Sequence, residues 1–168
     1  AGQSLLVAVD VRGTFRGLGG NFNAASTASP AQLRRQLALL PELAEAGLVG
    51  AGKDISMAGV CGSLLMMLET SGVGATFDLA RLPAPPNADP FRWLNAFPSF
   101  GFVLSAEPHA AREVCARFEE VGVTCVVAGE VTSQPRLELS YGRERANYWE
   151  LSEPLTGFGP PETRARAS

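Results

Sequence analysis

The sequence predicts a single α+β or α/β sandwich built on a mixed sheet. Three observations lead there. Short β-branched apolar runs alternate with segments whose apolar residues recur at helical spacing, and some strand-like runs follow one another directly. The chain has 168 residues, 46% of them apolar, which suffices to bury roughly two thirds of the surface its unfolded form exposes.

Leu5 to Val11 is the first strand, ending at Asp10-Val11-Arg12-Gly13. Gly17 to Asn23 has no periodicity and is rich in residues that tolerate positive φ, so it reads as a loop or linker. Ser29-Pro30 opens a helix as N-cap and first residue, with Leu33, Leu37 and Leu40 at helical spacing, a kink or restart at Pro41, and a stop at Gly47. Leu48 to Ala51 is a short strand. Lys53-Asp54-Ile55-Ser56 leads at once into a helix running to about Ser71-Gly72, with Val60, Leu64, Met67 and Leu68 on one face and Ala58 and Gly62 as a small-residue groove. Gly74 to Leu79 is a strand, Leu82 to Pro90 a proline-rich loop, Phe91 to Ala96 a short helix and Gly101 to Ala106 a strand. Pro108 to Val121 is a helix stopped by Gly122; Thr124 to Val127 and Leu137 to Tyr141 are strands joined by a Thr-Ser-Gln-Pro turn. Residues 159–168 read as a disordered tail.

Several function classes are excluded by composition. The net charge is −3 and no short stretch concentrates Lys and Arg, so the electrostatic footprint of a nucleic-acid binder is missing. No apolar run approaches the roughly 20 residues that span a bilayer, and the first residues lack the pattern of a signal peptide, so a cytoplasmic location is expected. Cys61, Cys115 and Cys125 are an odd number at wide spacings with one histidine, His109, and are expected to be reduced core thiols rather than zinc ligands. His109 reads as an exposed first-turn residue, and Glu69 falls on the polar side of its helix. The absent initial methionine leads us to expect a piece of a longer chain.

Chemistry concentrates at Ala51 to Val60. A helix N-terminus favours phosphate through its unpaired N–H groups and its dipole, Gly59 permits close approach of another backbone, and a carboxylate beside such a site holds the Mg²⁺ that accompanies nucleotides. Asp54 is that carboxylate. Lys53, the one lysine in the sequence, is a point charge for phosphate or a plain surface residue. Asp54 or Ser56 equally serves as a simple helix cap. Gly17-Leu18-Gly19-Gly20 matches neither a P-loop nor a dinucleotide fingerprint.

The run Lys53-Asp54-Ile55-Ser56-Met57-Ala58-Gly59-Val60, then a small-residue helix ending Leu68-Glu69-Thr70-Ser71-Gly72-Val73-Gly74-Ala75, resembles the C-terminal domain of the AIR synthase superfamily. Leu43 to Val49, Phe97 to Leu104, Gly122-Val123 and Gly129-Glu130-Val131 follow in the family's order, so the likeness covers roughly residues 30 to 141 and is nearest to the AIR synthase-related subgroup. The resemblance implies a three-layer α/β/α domain, similar to the PurM C-terminal domain and partly ferredoxin-like. It implies residues 1–23 as the end of an N-terminal domain or a linker and 24–158 as the C-terminal domain. The missing N-terminal domain and a small-molecule substrate are the implied partners, in a homodimer. The implied reaction uses ATP and Mg²⁺ to phosphorylate a substrate oxygen, a ligase-type amide activation; the kinase branch and a non-catalytic binding or assembly module are the alternatives. This domain alone is expected to be inactive. By the same resemblance Asp54 is the metal ligand, Lys53, Ser56 and Gly59 lie near the nucleotide phosphates, and Pro98 and Ser99 occupy the substrate loop. Phe97-Pro98 departs from the polar pattern of the formylglycinamidine branch, which points to a less charged substrate.

Overall fold

The computed structural model describes residues 1–158. The tail expected at 159–168 lies outside the described residues. A mixed sheet of seven strands forms the middle layer: β1 (Ser4–Val9), β4 (Ala51–Asp54), β5 (Gly74–Asp78), β7 (Gly101–Ala106), β8 (Thr124–Thr132), β9 (Arg136–Tyr141) and β10 (Glu144–Glu150). Their spatial order is β10-β9-β5-β8-β1-β7-β4, antiparallel throughout except between β5 and β9. A second sheet is made by β2 (Thr14–Phe15), β3 (Asn21–Asn23) and β6 (Phe97–Pro98).

β1 lies between β7 and β8, with Leu5 opposite Ser105 on one side and Gly129 on the other. Its residues are buried on both faces because helices cover both. Leu5, Val7 and Val9 pack toward α2 (Gly59–Ser71) and α3 (Pro90–Leu94), whereas Leu6 and Ala8 pack toward α1 (Pro30–Glu45) and α4 (Pro108–Glu120). This is the expected three-layer sandwich. Residues 1–23, expected as the end of an N-terminal domain or a linker, supply β1, an interior strand of the large sheet, together with β2 and β3 of the small one, and both sheet neighbours of β1 come from later in the chain.

Other differences have local causes. α1 buries Gln36, Leu39 and Leu43 rather than Leu33 and Leu37; Leu37 is 59% exposed, because the Gln36 amide turns inward to the Asp10 carboxylate. α1 runs through Pro41 without ending, on a stretch where both Pro41 and the Leu37 whose carbonyl it cannot serve are exposed. Leu48 is not yet strand, since its N–H closes α1 on the Leu43 carbonyl at 3.0 Å; pairing begins with Ala51 opposite Ser105. β8 and β9, adjacent in sequence, are separated by β5.

The segment read as a linker is ordered by aromatic packing. Phe15, Phe22 and Trp93 meet edge to face at 4.9–6.2 Å, the Arg92 guanidinium lies 3.8 Å from the Phe15 ring centre, and Arg92 donates to the Gly17 carbonyl at 2.6 Å. This cluster seats α3 against the start of α2.

Candidate functional site

β4 is an edge strand, paired with β7 alone, and its last two residues are Lys53 and Asp54. Alternation along the strand turns the Asp54 side chain outward, 60% exposed, and Lys53 Nζ meets Asp54 Oδ1 at 2.5 Å. Both residues border a groove of about 460 Å³ whose floor is apolar, formed by Leu40, Leu43, Val49, Phe102 and Leu104. An exposed carboxylate and an ammonium therefore sit side by side at the end of an apolar trough.

The chain does not enter α2 directly from Ser56, as the sequence reading expects. It makes a tight passage over Ile55 to Ala58, and α2 starts at Gly59. The Ile55 N–H bonds to the Gly101 carbonyl at 2.8 Å, and the Ser56 N–H donates to Ser63 Oγ at 2.9 Å. Ser63 is fully buried inside α2, so its hydroxyl fixes the loop onto the helix that follows. Gly59 has φ +67°, and a Cβ there would fall against the Leu94 carbonyl oxygen. The backbone approaching Gly59 in this structure is thus the end of α3. A Cβ on Gly62 would meet the Ala58 methyl at 2.5 Å, which accounts for that small residue within α2 itself.

Pro98 packs in the same small apolar space as Ile55 and Val60, which joins the expected substrate loop to the Lys53–Gly59 segment. Ser99 serves the fold: its Oγ accepts from Ala24 N at 2.9 Å and Ala25 N at 3.1 Å, and its own N–H donates to the Phe22 carbonyl at 2.8 Å. Both hydroxyl lone pairs are engaged, so what Ser99 retains for a ligand is its O–H proton. His109 is exposed in the first turn of α4, as expected.

Among the described residues no three His, Cys, Asp or Glu side chains gather to hold a metal. Asp54 is a lone carboxylate. That fits Mg²⁺ of the nucleotide kind, which takes one or two carboxylates and completes its shell with phosphate and water, and it does not fit an all-protein cage.

Two buried polar clusters were not found from sequence. Asp10, 2% exposed, accepts from Arg12 N, Nε and Nη2 at 3.1, 2.8 and 2.7 Å and from Gln36 Nε2 at 3.1 Å. Burial pushes the Asp10 carboxyl up, but the bonds from Arg12 and Gln36 outweigh it and hold the group below the ordinary aspartate value. Glu69, 6% exposed, accepts from the backbone N–H groups of Leu155, Thr156 and Gly157 and from the Thr156 hydroxyl. No sequence pattern announces either cluster, since Glu69 and its donors stand 86 to 88 positions apart.

Residues 8–142 match the family model described as AIR synthase related protein, C-terminal domain. An uncharacterized protein of Synechocystis sp. is 41% identical over 138 residues, 82% of this chain and 43% of that protein. The fold is that of Thermotoga maritima PurL, solved in complex with ATP (TM-score 0.70, 17% identity, 89% of this chain and 25% of that one). It is also that of Escherichia coli HypE, a hydrogenase maturation protein (TM-score 0.60, 23% identity, 88% of this chain and 48% of that one). This chain therefore spans less than half the length of each of these relatives. The matched stretch includes the whole passage from Lys53 to Gly59 together with Pro98 and Ser99, and the chain belongs to the AIR synthase related protein family as its C-terminal domain.

Proposed function

We propose that this domain is one half of an ATP- and Mg²⁺-dependent enzyme that phosphorylates a substrate oxygen, in the manner of an amide-activating ligase, with the other half of the site supplied by a further domain. The observation that carries this reading is the exposed Lys53–Asp54 pair at the open end of β4. Structurally committed carboxylates in this chain, Asp10 and Glu69, are buried and saturated with donors, whereas Asp54 is turned to solvent with one lysine beside it. The length of the relatives supports a partner domain, and PurL solved with ATP supports the nucleotide.

Asp54 would supply the protein oxygen to Mg²⁺, and the metal would offset the phosphate charge. Lys53 would transfer its ion pair from Asp54 toward a phosphate oxygen, as a point charge suits. The loop Ile55–Ala58, fixed by Ser63, keeps both side chains on one strand end. The apolar floor from Leu40 to Leu104 favours a substrate of low charge.

The test is product analysis. A longer polypeptide carrying this domain is incubated with ATP, Mg²⁺ and a panel of small amides and amines, beside its Asp54→Asn variant. ADP and free phosphate appearing with a condensed product, and abolished in the variant, support ligase-type activation. A phosphorylated product in place of free phosphate would move the assignment to the kinase branch. Absence of both nucleotide binding and turnover would leave the domain as a non-catalytic assembly module.

A further inference from the structure

Three large apolar side chains stand in water around α3. Leu18 is fully exposed, and Met57 and Phe91 are 81% and 79% exposed. Single exposed apolar residues are ordinary on a protein surface, but these three lie on segments that are tied to one another. Arg92, next to Phe91, donates to the Gly17 carbonyl at 2.6 Å and to the Gly19 carbonyl at 3.1 Å, the two residues that flank Leu18. A Cβ on Gly20 would meet the Asn95 carbonyl oxygen at 2.6 Å, so the same loop lies against the end of α3. Met57 belongs to the passage that reaches that end as well, since Gly59 abuts the Leu94 carbonyl. We propose that Leu18, Met57 and Phe91 form the face on which a further domain of the longer polypeptide docks an apolar surface, beside the Lys53–Asp54 pair.

All three side chains are carried on fixed supports. Arg92 holds the Leu18 loop. α3 is capped by Asp89, which accepts from Arg92 N at 2.8 Å, and is anchored by the Trp93 indole N–H, which donates to the Pro83 carbonyl at 2.8 Å. The Met57 passage is held by the Ser56 N–H on Ser63 Oγ. Side chains ordered in advance lose less freedom when a partner covers them, and Leu18, Met57 and Phe91 gain nothing from that order while they face water.

Position names the occupant. Met57 is three residues from Asp54, so a domain that closes over the exposed Lys53–Asp54 pair contacts Met57 too; this step rests on the reading that another domain supplies half of that site. The relatives have the length for one, since this chain spans 43% of the Synechocystis protein and 48% of HypE. The exposed aromatics Tyr141, Tyr148 and Trp149 lie on β9 and β10, at the sheet edge opposite β4, and stand apart from this face.

The test is hydroxyl-radical footprinting of the longer polypeptide without nucleotide, read residue by residue by mass spectrometry. After correction for intrinsic reactivity, Met57 and Phe91 should be oxidised at least about fivefold more slowly than Tyr141 and Trp149, although they are the more exposed in this domain. Phe91→Glu should return Met57 to rapid oxidation, while buried Trp93 stays unreactive and shows that the domain remains folded. The proposal is overturned if wild-type Met57 and Phe91 react in proportion to their exposure, if the protection falls on Tyr141 and Trp149 instead, or if it disappears on dilution, which would assign the face to a second copy. The wild-type map alone decides this should the variant expose Trp93. Protection in a protein that neither binds nor turns over ATP would keep the docking face and remove the nucleotide reading, so the two claims fail separately.

Discussion

The Glu69 carboxylate on α2 receives the Thr156 backbone N–H on both of its oxygens at 3.0 Å, together with the Thr156 hydroxyl. One carboxylate thus pins the segment after β10 to the helix that leads from the candidate site, with Leu151 and Leu155 packing into the same apolar cluster. Burial raises the Glu69 carboxyl, but the Thr156 hydroxyl and the three backbone donors outweigh it and hold the group below the ordinary glutamate value. A group with a depressed folded-state value stabilises above its unfolded value and loses that contribution as pH falls through the folded one. Glu69→Gln should therefore cost about 1.5–3 kcal/mol near neutrality. The difference from wild type should vanish in acid, below the folded-state value. Urea midpoints of both proteins at neutral and acid pH measure this, and a pH-independent difference would refute it.

Gln36 is bonded through its Nε2 to Asp10 and to the Val121 carbonyl, while its Oε1 is buried without a partner. A lone buried acceptor costs about 1–3 kcal/mol, comparable to the bonds that the same side chain makes. Gln36→Met should consequently be near neutral, within about 1 kcal/mol. Asp10→Ala should be much worse, since it strips Gln36 and Arg12 of their shared acceptor inside the fold. Denaturant unfolding of the two variants checks the ranking, and equal losses would contradict it.

Gly59 combines φ +67° with a Leu94 carbonyl oxygen where a Cβ would stand. Gly59→Ala should destabilise the domain by at least about 1–2 kcal/mol, the usual cost of the left-handed region. Any loss of activity in that variant should follow the loss of folded protein. Thermal melts and activity per folded molecule separate the two effects.

The sequence was legible where a local rule decides the structure. Ser29 caps α1 by accepting from Gln32 N, Gly72 ends α2 at φ 66°, and Gly122 ends α4, all as their residue types require. The site motif was also local, because Lys53 and Asp54 are consecutive and lie on one strand end. What was hidden depends on distant partners. The apolar run of β1 fits any buried strand, and only its pairing with β7 and β8, Leu5 opposite Ser105 and Gly129, puts it inside the sheet. β10, Glu-Arg-Ala-Asn-Tyr-Trp-Glu, has no apolar alternation, since every residue in it is exposed. Ser99 reads as a loop hydroxyl until the backbone of Ala24 and Ala25 is seen on it.

Asp54→Asn should leave the fold intact, because the side chain is exposed and its one ion pair is at the surface; a change within about 0.5 kcal/mol is expected. A melting temperature equal to that of wild type is the check, and it licenses reading any kinetic change as chemistry.

The most direct measurement of the central claim is phosphate release from ATP as a function of Mg²⁺ concentration, in the full-length polypeptide carrying Lys53 and Asp54, wild type against Asp54→Asn. If Asp54 gives an oxygen to the nucleotide's metal, the half-saturating Mg²⁺ concentration rises by about tenfold or more in the variant. Superimposable Mg²⁺ curves for two equally stable proteins would contradict the assignment.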